Sequence, residues 1–428
     1  MSCRGLTRRQ LVAGLGLLPC LALAGRRLAR GEARVLVIGG GFAGAAAARL
    51  LKQVDPGLHV SLIEPRALIH TCPRSNHVIT GLAQLDEIAW GFDELREMGV
   101  SHIRQAALDV DTPGRRVQLE DGHWLAYDWL ILAPGIDFRF DAIDGYDAAT
   151  AERVPHAWKA GPQSLLLRQQ LKAMAPGGTL ILSVPDNPYR CPPGPYERAS
   201  LIAHYLSRHN PRAKLLILDA KASFSKQALF RQGWERLYPG MIEWLGHADD
   251  GRVVRLDAVR GELECEFGSR HRGEVINLIP PQRAGDIARR AGLTDASGWV
   301  PVEADGFRAC LASRVMVIGD ACLAAPMPKS AHSAHSQARR AVSALLAELG
   351  SDALGTTPLD NVCYSQLSPD SAISIAARYE SVAGQLQEQT GSLRLSSLAA
   401  PEAEREREAA QALAWYQALG RATWGNPA

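Results

Sequence analysis

One stretch constrains this chain more than any other: Arg34 to Gln53, RVLVIGGGFAGAAAARLLKQ. Val35 to Ile38 is a short apolar, β-branched run, the pattern of a parallel strand buried on both faces. Gly39, Gly41 and Gly44 follow as G-x-G-x-x-G, and an Ala- and Leu-rich segment then favours a helix. The next strand, His59 to Ile63, ends at Glu64, 25 residues after Gly39. Each part has a physical task. Gly39 permits the tight turn, Gly41 lets a pyrophosphate reach the backbone, and Gly44 lets helix and strand close up. The helix N-terminus presents free N–H groups and a positive dipole end to phosphate. Glu64 is placed to accept from ribose hydroxyls. A lone glycine triplet says little. Strand, helix and terminal acid in register point to a dinucleotide site.

At 428 residues the chain exceeds one ordinary core, so more than one domain is expected. Residues 1–24 read as an export leader: Thr7-Arg8-Arg9-Gln10-Leu11 is twin-arginine-like, Leu11 to Leu23 is modestly apolar, and Ala22-Leu23-Ala24 suits cleavage. A cytoplasmic basic arm or an uncleaved anchor is the alternative. The formal charge is +2, and the leader holds Arg4, Arg8 and Arg9 without an acid. The remainder is therefore near neutral, and nothing marks a nucleic-acid face. No apolar run after the leader is long enough to span a bilayer.

Of the eight cysteines, Cys72, Cys191, Cys265, Cys310, Cys322 and Cys363 lie beyond the leader. C-x-x-C is absent, which argues against a common dithiol motif and a zinc ribbon, and C-x-x-C-H is absent, so the chain attaches no c-type haem. His332 and His335 are three apart, but without a third ligand a metal site is weakly supported.

Beyond Glu64, residues 65–81 read as a loop carrying Cys72, and residues 86–98 as an amphipathic helix. Segments 102–119 and 123–132 read as strands of a small antiparallel excursion, closed by Ala133-Pro134-Gly135. Thr179–Val184, a helix near 197–208 and Lys214–Leu218 form a second β-α-β unit. Its first turn reads SVPDNPYRCPPGPYERAS, with prolines where glycines would be needed. Proline supplies no N–H for phosphate, so no NAD(P)H site is expected there. Residues 223–275 read as short strands and turns. Arg314 to Asp320, RVMVIGD, is an apolar strand ending at Gly319-Asp320, and a helix follows Pro328. The stretch near 380–412 is polar and reads as helix or linker.

From about residue 34 to 428, the chain resembles the flavoprotein subunit of flavocytochrome c sulfide dehydrogenase, and more distantly the sulfide:quinone oxidoreductases. The resemblance is carried by RCPPGPYERAS (190–200), GWERLYPG (233–240), INLIPPQRAG (276–285), VIGDAC (317–322), PMPKS (326–330) and NVCYS (361–365). It implies an α/β fold of the two-dinucleotide-binding-domain type, glutathione-reductase-like. The implied FAD-binding domain covers 34–155 and 300–355. A second Rossmann-like domain covers 156–299 and lacks a NAD site, and a C-terminal interface domain covers 356–428. Cys72, in Thr71-Cys72-Pro73-Arg74-Ser75-Asn76, matches the family's covalent attachment to the flavin 8α-methyl carbon. Ile69-His70 stand where the family usually has aromatics. Cys191 and Cys363 match its redox-active disulfide, and Glu197 its acid/base; a helix N-terminal acid is the alternative for Glu197. Asp320 matches the holder of a ribityl hydroxyl, and Lys329 and Trp415 match positions close to flavin. Hydrosulfide would attack the disulfide, giving a persulfide and a leaving thiolate. The implied partner is a separate c-type cytochrome subunit, the implied substrate sulfide, and the implied location the periplasm. A sulfide:quinone oxidoreductase and a non-catalytic electron-transfer subunit remain open alternatives.

Overall fold

The computed structural model describes residues 33–351, 354–355 and 357–426; the leader lies outside them. Strand β1 (Arg34–Ile38) turns into helix α1 (Phe42–Val54), and β2 (His59–Ile63) returns parallel to it. A short helix, α2 (Ser75–Thr80), follows the Cys72 loop. Strands β3 (Ser101–Ile103) and β4 (Trp129–Leu132) rejoin the sheet, with a three-stranded antiparallel ribbon inserted between them. Helix α3 (Pro162–Ala173) then leads to β5 (Thr179–Val184), α4 (Gly194–His209), β6 (Lys214–Asp219), α5 (Gln227–Leu237), β7 (Ile242–Leu245) and β8 (Val275–Leu278). Strand β9 (Val315–Val317) and helix α6 (Ala331–Glu348) come back to the first sheet. Strands β10 (Leu359–Ser368), β11 (Ser371–Val382) and β12 (Gln385–Glu388) and helix α7 (Glu402–Trp424) complete the described chain.

Two parallel sheets organise the molecule. The first runs β9–β4–β1–β2–β3 and the second β7–β6–β5–β8. In each, the first strand of a β-α-β unit sits inside the sheet, so the turn after it opens at the carboxyl edge, where α/β folds build sites. Val35 to Ile38 and Trp129 to Leu132 are wholly buried because helices cover both faces. Ala43 and Ala45 to Ala48 are buried in α1, which packs against α6 and α7. Their small side chains allow that closeness. Helix α7 also lies along β11 and ties the last third of the chain to the first sheet.

Four expectations need correction. Residues 86–98 are not one helix: a short 3-10 turn, a strand at Ala89–Trp90 and a helix at Asp93–Glu97 occupy them. Trp90 pairs with Ile69 as a strand, and that pairing outweighs the helical spacing. Of the 102–132 segments, Ser101–Ile103 and Trp129–Leu132 belong to the parallel sheet, not to the antiparallel ribbon. Residues 223–275 include helix α5, whose Leu229, Phe230, Gly233 and Trp234 are buried on one face. The polar stretch near 380–412 is partly strand: β11 and β12 pair from Tyr379↔Glu388 to Val382↔Gln385 before α7 begins.

Candidate functional site

A cavity of about 440 Å³ opens at the carboxyl edge of the first sheet. Gly39, Gly41, Glu64, Gly135, Gly319 and Asp320 all line it, together with Cys72 and Cys191. The glycine turn is sterically obligatory. A Cβ on Gly39, where φ is +100°, would stand 2.3 Å from the Ala133 carbonyl oxygen, and one on Gly44 would stand 1.9 Å from that of Gly39. A Cβ on Gly41 would meet nothing within 4 Å, which leaves its backbone open to the cavity. The buried Glu64 carboxylate accepts from the Gly40 N–H at 2.9 Å and pairs with Arg66 at 2.7 Å. It is therefore already engaged, and a ribose would share it with the outward-facing guanidinium.

Asp320 Oδ1 is buried and has no hydrogen-bond partner. Burial pushes the Asp320 carboxyl up, against the pull of Arg190 and Lys329. An orphaned acceptor in a cavity that a Gly-rich turn also lines fits a sugar-alcohol hydroxyl. Ser330, Ala331 and Ala334, from the start of α6, line the same cavity and bring a positive dipole end to it. These residues fit a flavin dinucleotide. The Lys329 ammonium does not line the cavity. It donates to the Asp320 and Cys322 carbonyls, both at 2.7 Å, and lies 3.8 Å from the Trp299 ring centroid, bracing the loop that carries Asp320.

A second, smaller cavity, about 70 Å³, adjoins the first. Cys72 and Cys191 line both, while Cys363, Glu197, His77 and Trp415 line the second alone. The sulfurs thus stand where the two spaces meet. Cys191 is placed by its N–H, which donates to the Lys329 carbonyl at 2.7 Å, and by a left-handed φ of +58°. Cys363 comes from β10, 172 positions later in the chain. The expected Cys191–Cys363 disulfide is not formed here: both are free thiols. The Cys191 sulfur has two neighbouring thiols, those of Cys363 and Cys72. Cys72 is likewise a free thiol turned toward Cys191.

Charge along this row is uneven. The Cys191 contact, then Arg190 and Arg198, bring the Cys72 thiol down to about 6. The Cys191 contact and the Lys226 ammonium lower Cys363. Cys191, flanked by both, is pushed well up. Glu197 sits in the first turn of α4, yet it does not serve that helix end. Its carboxylate accepts from the Gln366 N–H at 2.9 Å and from Asn76 Nδ2 at 2.8 Å, both far away in sequence. Burial raises its pKa. Trp415 donates to His332 Nδ1 at 3.0 Å, and His332 Nε2 lies 3.4 Å from Asp360, so that histidine has protein partners. Among the described residues no group of His, Cys, Asp and Glu could hold a metal ion.

Several contributors escape sequence reasoning. Arg198 is fully buried and donates to Asn76 Oδ1, Asn277 Oδ1 and the His156 and Ala157 carbonyls. It thereby joins α2, α4 and β8 behind the cysteines. Asn277 inside the apolar run VINLIP was the one visible signal. Of the cysteines without an expected role, Cys265 and Cys322 are buried, and Cys310 is disulfide-bonded.

Fold and cavity together define a flavoprotein built on two Rossmann-like units. Family models agree along the chain: pyridine nucleotide-disulphide oxidoreductase over residues 33–165, the central part of the sulfide dehydrogenase [flavocytochrome c] flavoprotein chain over 164–280, and the flavocytochrome c sulphide dehydrogenase flavin-binding region over 356–424. The chain is 50% identical over 48 residues to the sulfide dehydrogenase [flavocytochrome c] flavoprotein chain of Chlorobaculum thiosulfatiphilum, covering 11% of this chain and all of that sequence. It is 24% identical over 328 residues to the mitochondrial sulfide:quinone oxidoreductase of Mus musculus, covering 72% of this chain and 70% of that one. Among solved structures, the sulfide:quinone oxidoreductase of Aquifex aeolicus shares the fold with a TM-score of 0.73 at 16% identity over 92% of each chain. The chain belongs to the family of flavocytochrome c sulfide dehydrogenase flavoprotein chains.

Proposed function

We propose that the protein is a FAD-dependent sulfide dehydrogenase that delivers electrons to a c-type cytochrome subunit. The observation that carries this reading is the row Cys72–Cys191–Cys363 at the junction of the two cavities. The small cavity suits a substrate of one heavy atom. In the oxidised pair, hydrosulfide attacks Cys191 and Cys363 leaves as thiolate. Flavin supplies a two-electron acceptor that can release its electrons singly to haem. Glu197, with its raised pKa, holds or takes a proton beside the sulfurs. Cys72 lines the flavin cavity as a lowered thiol, the form suited to a covalent flavin bond.

A nicotinamide donor is disfavoured by the second unit. Asp219 ends β6, where an acid would meet a dinucleotide ribose. It is instead wholly buried, accepting from Tyr196 Oη at 2.5 Å, Lys221 Nζ at 2.6 Å and Trp244 Nε1 at 2.9 Å. The protein's own side chains take that carboxylate. Trp415, beside Tyr364 and the partly exposed Leu413, supports electron exit on the α7 face toward a partner. The twin-arginine-like leader supports periplasmic work by a chain exported with its cofactor in place. No helix among the described residues is long and apolar enough to cross a membrane.

The test is an anaerobic titration of the purified holoprotein. Sulfide should bleach the flavin absorbance and NADH should not. Oxidised cytochrome c should then restore the absorbance faster than a soluble quinone. Faster recovery with quinone would make the protein a sulfide:quinone oxidoreductase, and no bleaching by sulfide would overturn the reading.

A further inference from the structure

Lys226 combines three unfavourable features at one residue. Its side chain is buried, with 7% of the residue exposed. It sits at the N-terminus of α5, whose dipole opposes a cation. Its φ is +62°, a left-handed conformation that a non-glycine residue rarely keeps without cause. No carboxylate lies in ion-pair contact with it among the described residues. Its ammonium donates instead to Ser365 Oγ at 2.8 Å, the Cys363 carbonyl at 3.2 Å and the Ile373 carbonyl at 3.4 Å. These acceptors are neutral, so the charge is left for something nearby.

Strand β10 shows what that is. Side chains two apart along a strand share a face. Cys363 and Ser365 are two apart, so an ammonium bonded to Ser365 Oγ faces the strand surface that carries the Cys363 sulfur. The charged and titratable groups around Lys226 are Cys363, Glu197, Cys191 and Glu408. Those around Cys363 are Cys191, Lys226, Glu197 and Cys72. Glu408 has its own cation in Arg405 at 2.9 Å, and Glu197 is held by Asn76 and Gln366. Cys72, at the far end of the row, has Arg190 and Arg198.

We infer that Lys226 is a positioning residue whose ammonium holds the Cys363 sulfur as a thiolate and so makes Cys363, not Cys191, the leaving sulfur when sulfide reacts. This deepens the proposed function and rests on it. In the step, the hydrosulfide sulfur bonds to Cys191 Sγ and keeps its proton. The Cys191–Cys363 bond breaks, and its electron pair departs on Cys363 Sγ. The Lys226 ammonium, bonded to the Cys363 carbonyl and to Ser365 Oγ on the strand that carries the Cys363 sulfur, favours the electron pair on that sulfur and gives the cleavage its direction.

The experiment is pulsed alkylation of the reduced holoprotein with iodoacetamide from pH 5 to 9, with each cysteine peptide quantified by mass spectrometry. In the wild type Cys363 should become reactive at lower pH than Cys191. K226M should move the Cys363 midpoint up by about one pH unit or more, and K226R should keep it near the wild-type value. An unchanged midpoint in K226M with flavin still bound overturns the inference, as does earlier reaction of Cys191 in the wild type. Should K226M lose its flavin, the wild-type order and K226R still decide. Alkylation does not depend on turnover. A wild type that sulfide cannot reduce therefore removes the proposed reaction while the role of Lys226 is judged separately.

Discussion

Cys191 has the most demanding position of any side chain here: left-handed backbone, a carbonyl on its N–H, and a sulfur between two others. Replacing it by serine removes the sulfur that hydrosulfide attacks. Cys191→Ser should retain bound flavin but lose sulfide-dependent bleaching, measured by anaerobic stopped flow; bleaching at the wild-type rate would show the sulfur to be structural. Glu197→Gln keeps the shape and the Asn76 contact while removing the proton site. It should slow the same bleaching about 10²-fold. The cysteines, Glu197, Asp320 and the glycine turn could be picked out from the sequence because each stands in a distinctive run. Lys226, Asn76, Arg198 and Gln366 could not. Their partners lie 41 to 169 positions away and meet only after folding: Arg198 reaches Ala157, Asn76 and Gln366 reach Glu197, and Lys226 reaches Cys363, Ser365 and Ile373.

At the scale of elements, β1, α1 and β2 follow directly from residue pattern, since apolar run, glycine turn and alanine-rich helix agree. Residues 86–98 mislead because Trp90 gains more by pairing in a two-residue strand and packing under α7 than from helical spacing. Helix α5 carries Gly233 in its interior, a residue that disfavours helix. In the fold that glycine makes room for Leu367: a Cβ there would come within 2.8 Å of its side chain. The β10–β11 hairpin hides because its residues alternate between buried and solvated faces within a polar composition. The glycine turn gives the sharpest prediction at this scale. Gly44→Ala should cost about 3 kcal/mol or more, because the new methyl meets the Gly39 carbonyl. Urea denaturation should register the loss, accompanied by weaker flavin retention.

For the molecule as a whole, three histidines make stability depend on pH. Burial brings His77 and His335 down to about 4 and His156 to about 3, so all are neutral when folded. The unfolded chain binds these protons near pH 6.5. Stability from this source is complete above that value and is lost as pH falls toward 4 and then 3, by about 1.4 kcal/mol per pH unit per histidine. The urea midpoint should therefore drop between pH 7 and pH 5. The two parallel sheets could be foreseen from the alternation of strand and helix patterns. The closure of the molecule by its own last helix could not, since that depends on single contacts between opposite ends of the chain.

One of those contacts is Trp424 Nε1 donating to the Gly40 carbonyl at 3.0 Å, within the turn that would meet the pyrophosphate. The same indole packs edge-on with Phe42 and stacks on Trp90. Trp424→Ala should cost roughly 3–5 kcal/mol and release flavin under dialysis that the parent survives. A ribosome completes Trp424 almost four hundred residues after Gly40. A nascent chain can thus shape its nucleotide loop early, but it cannot latch that loop until Trp424 has emerged. Firm capture of the cofactor would then report that translation has passed Trp424.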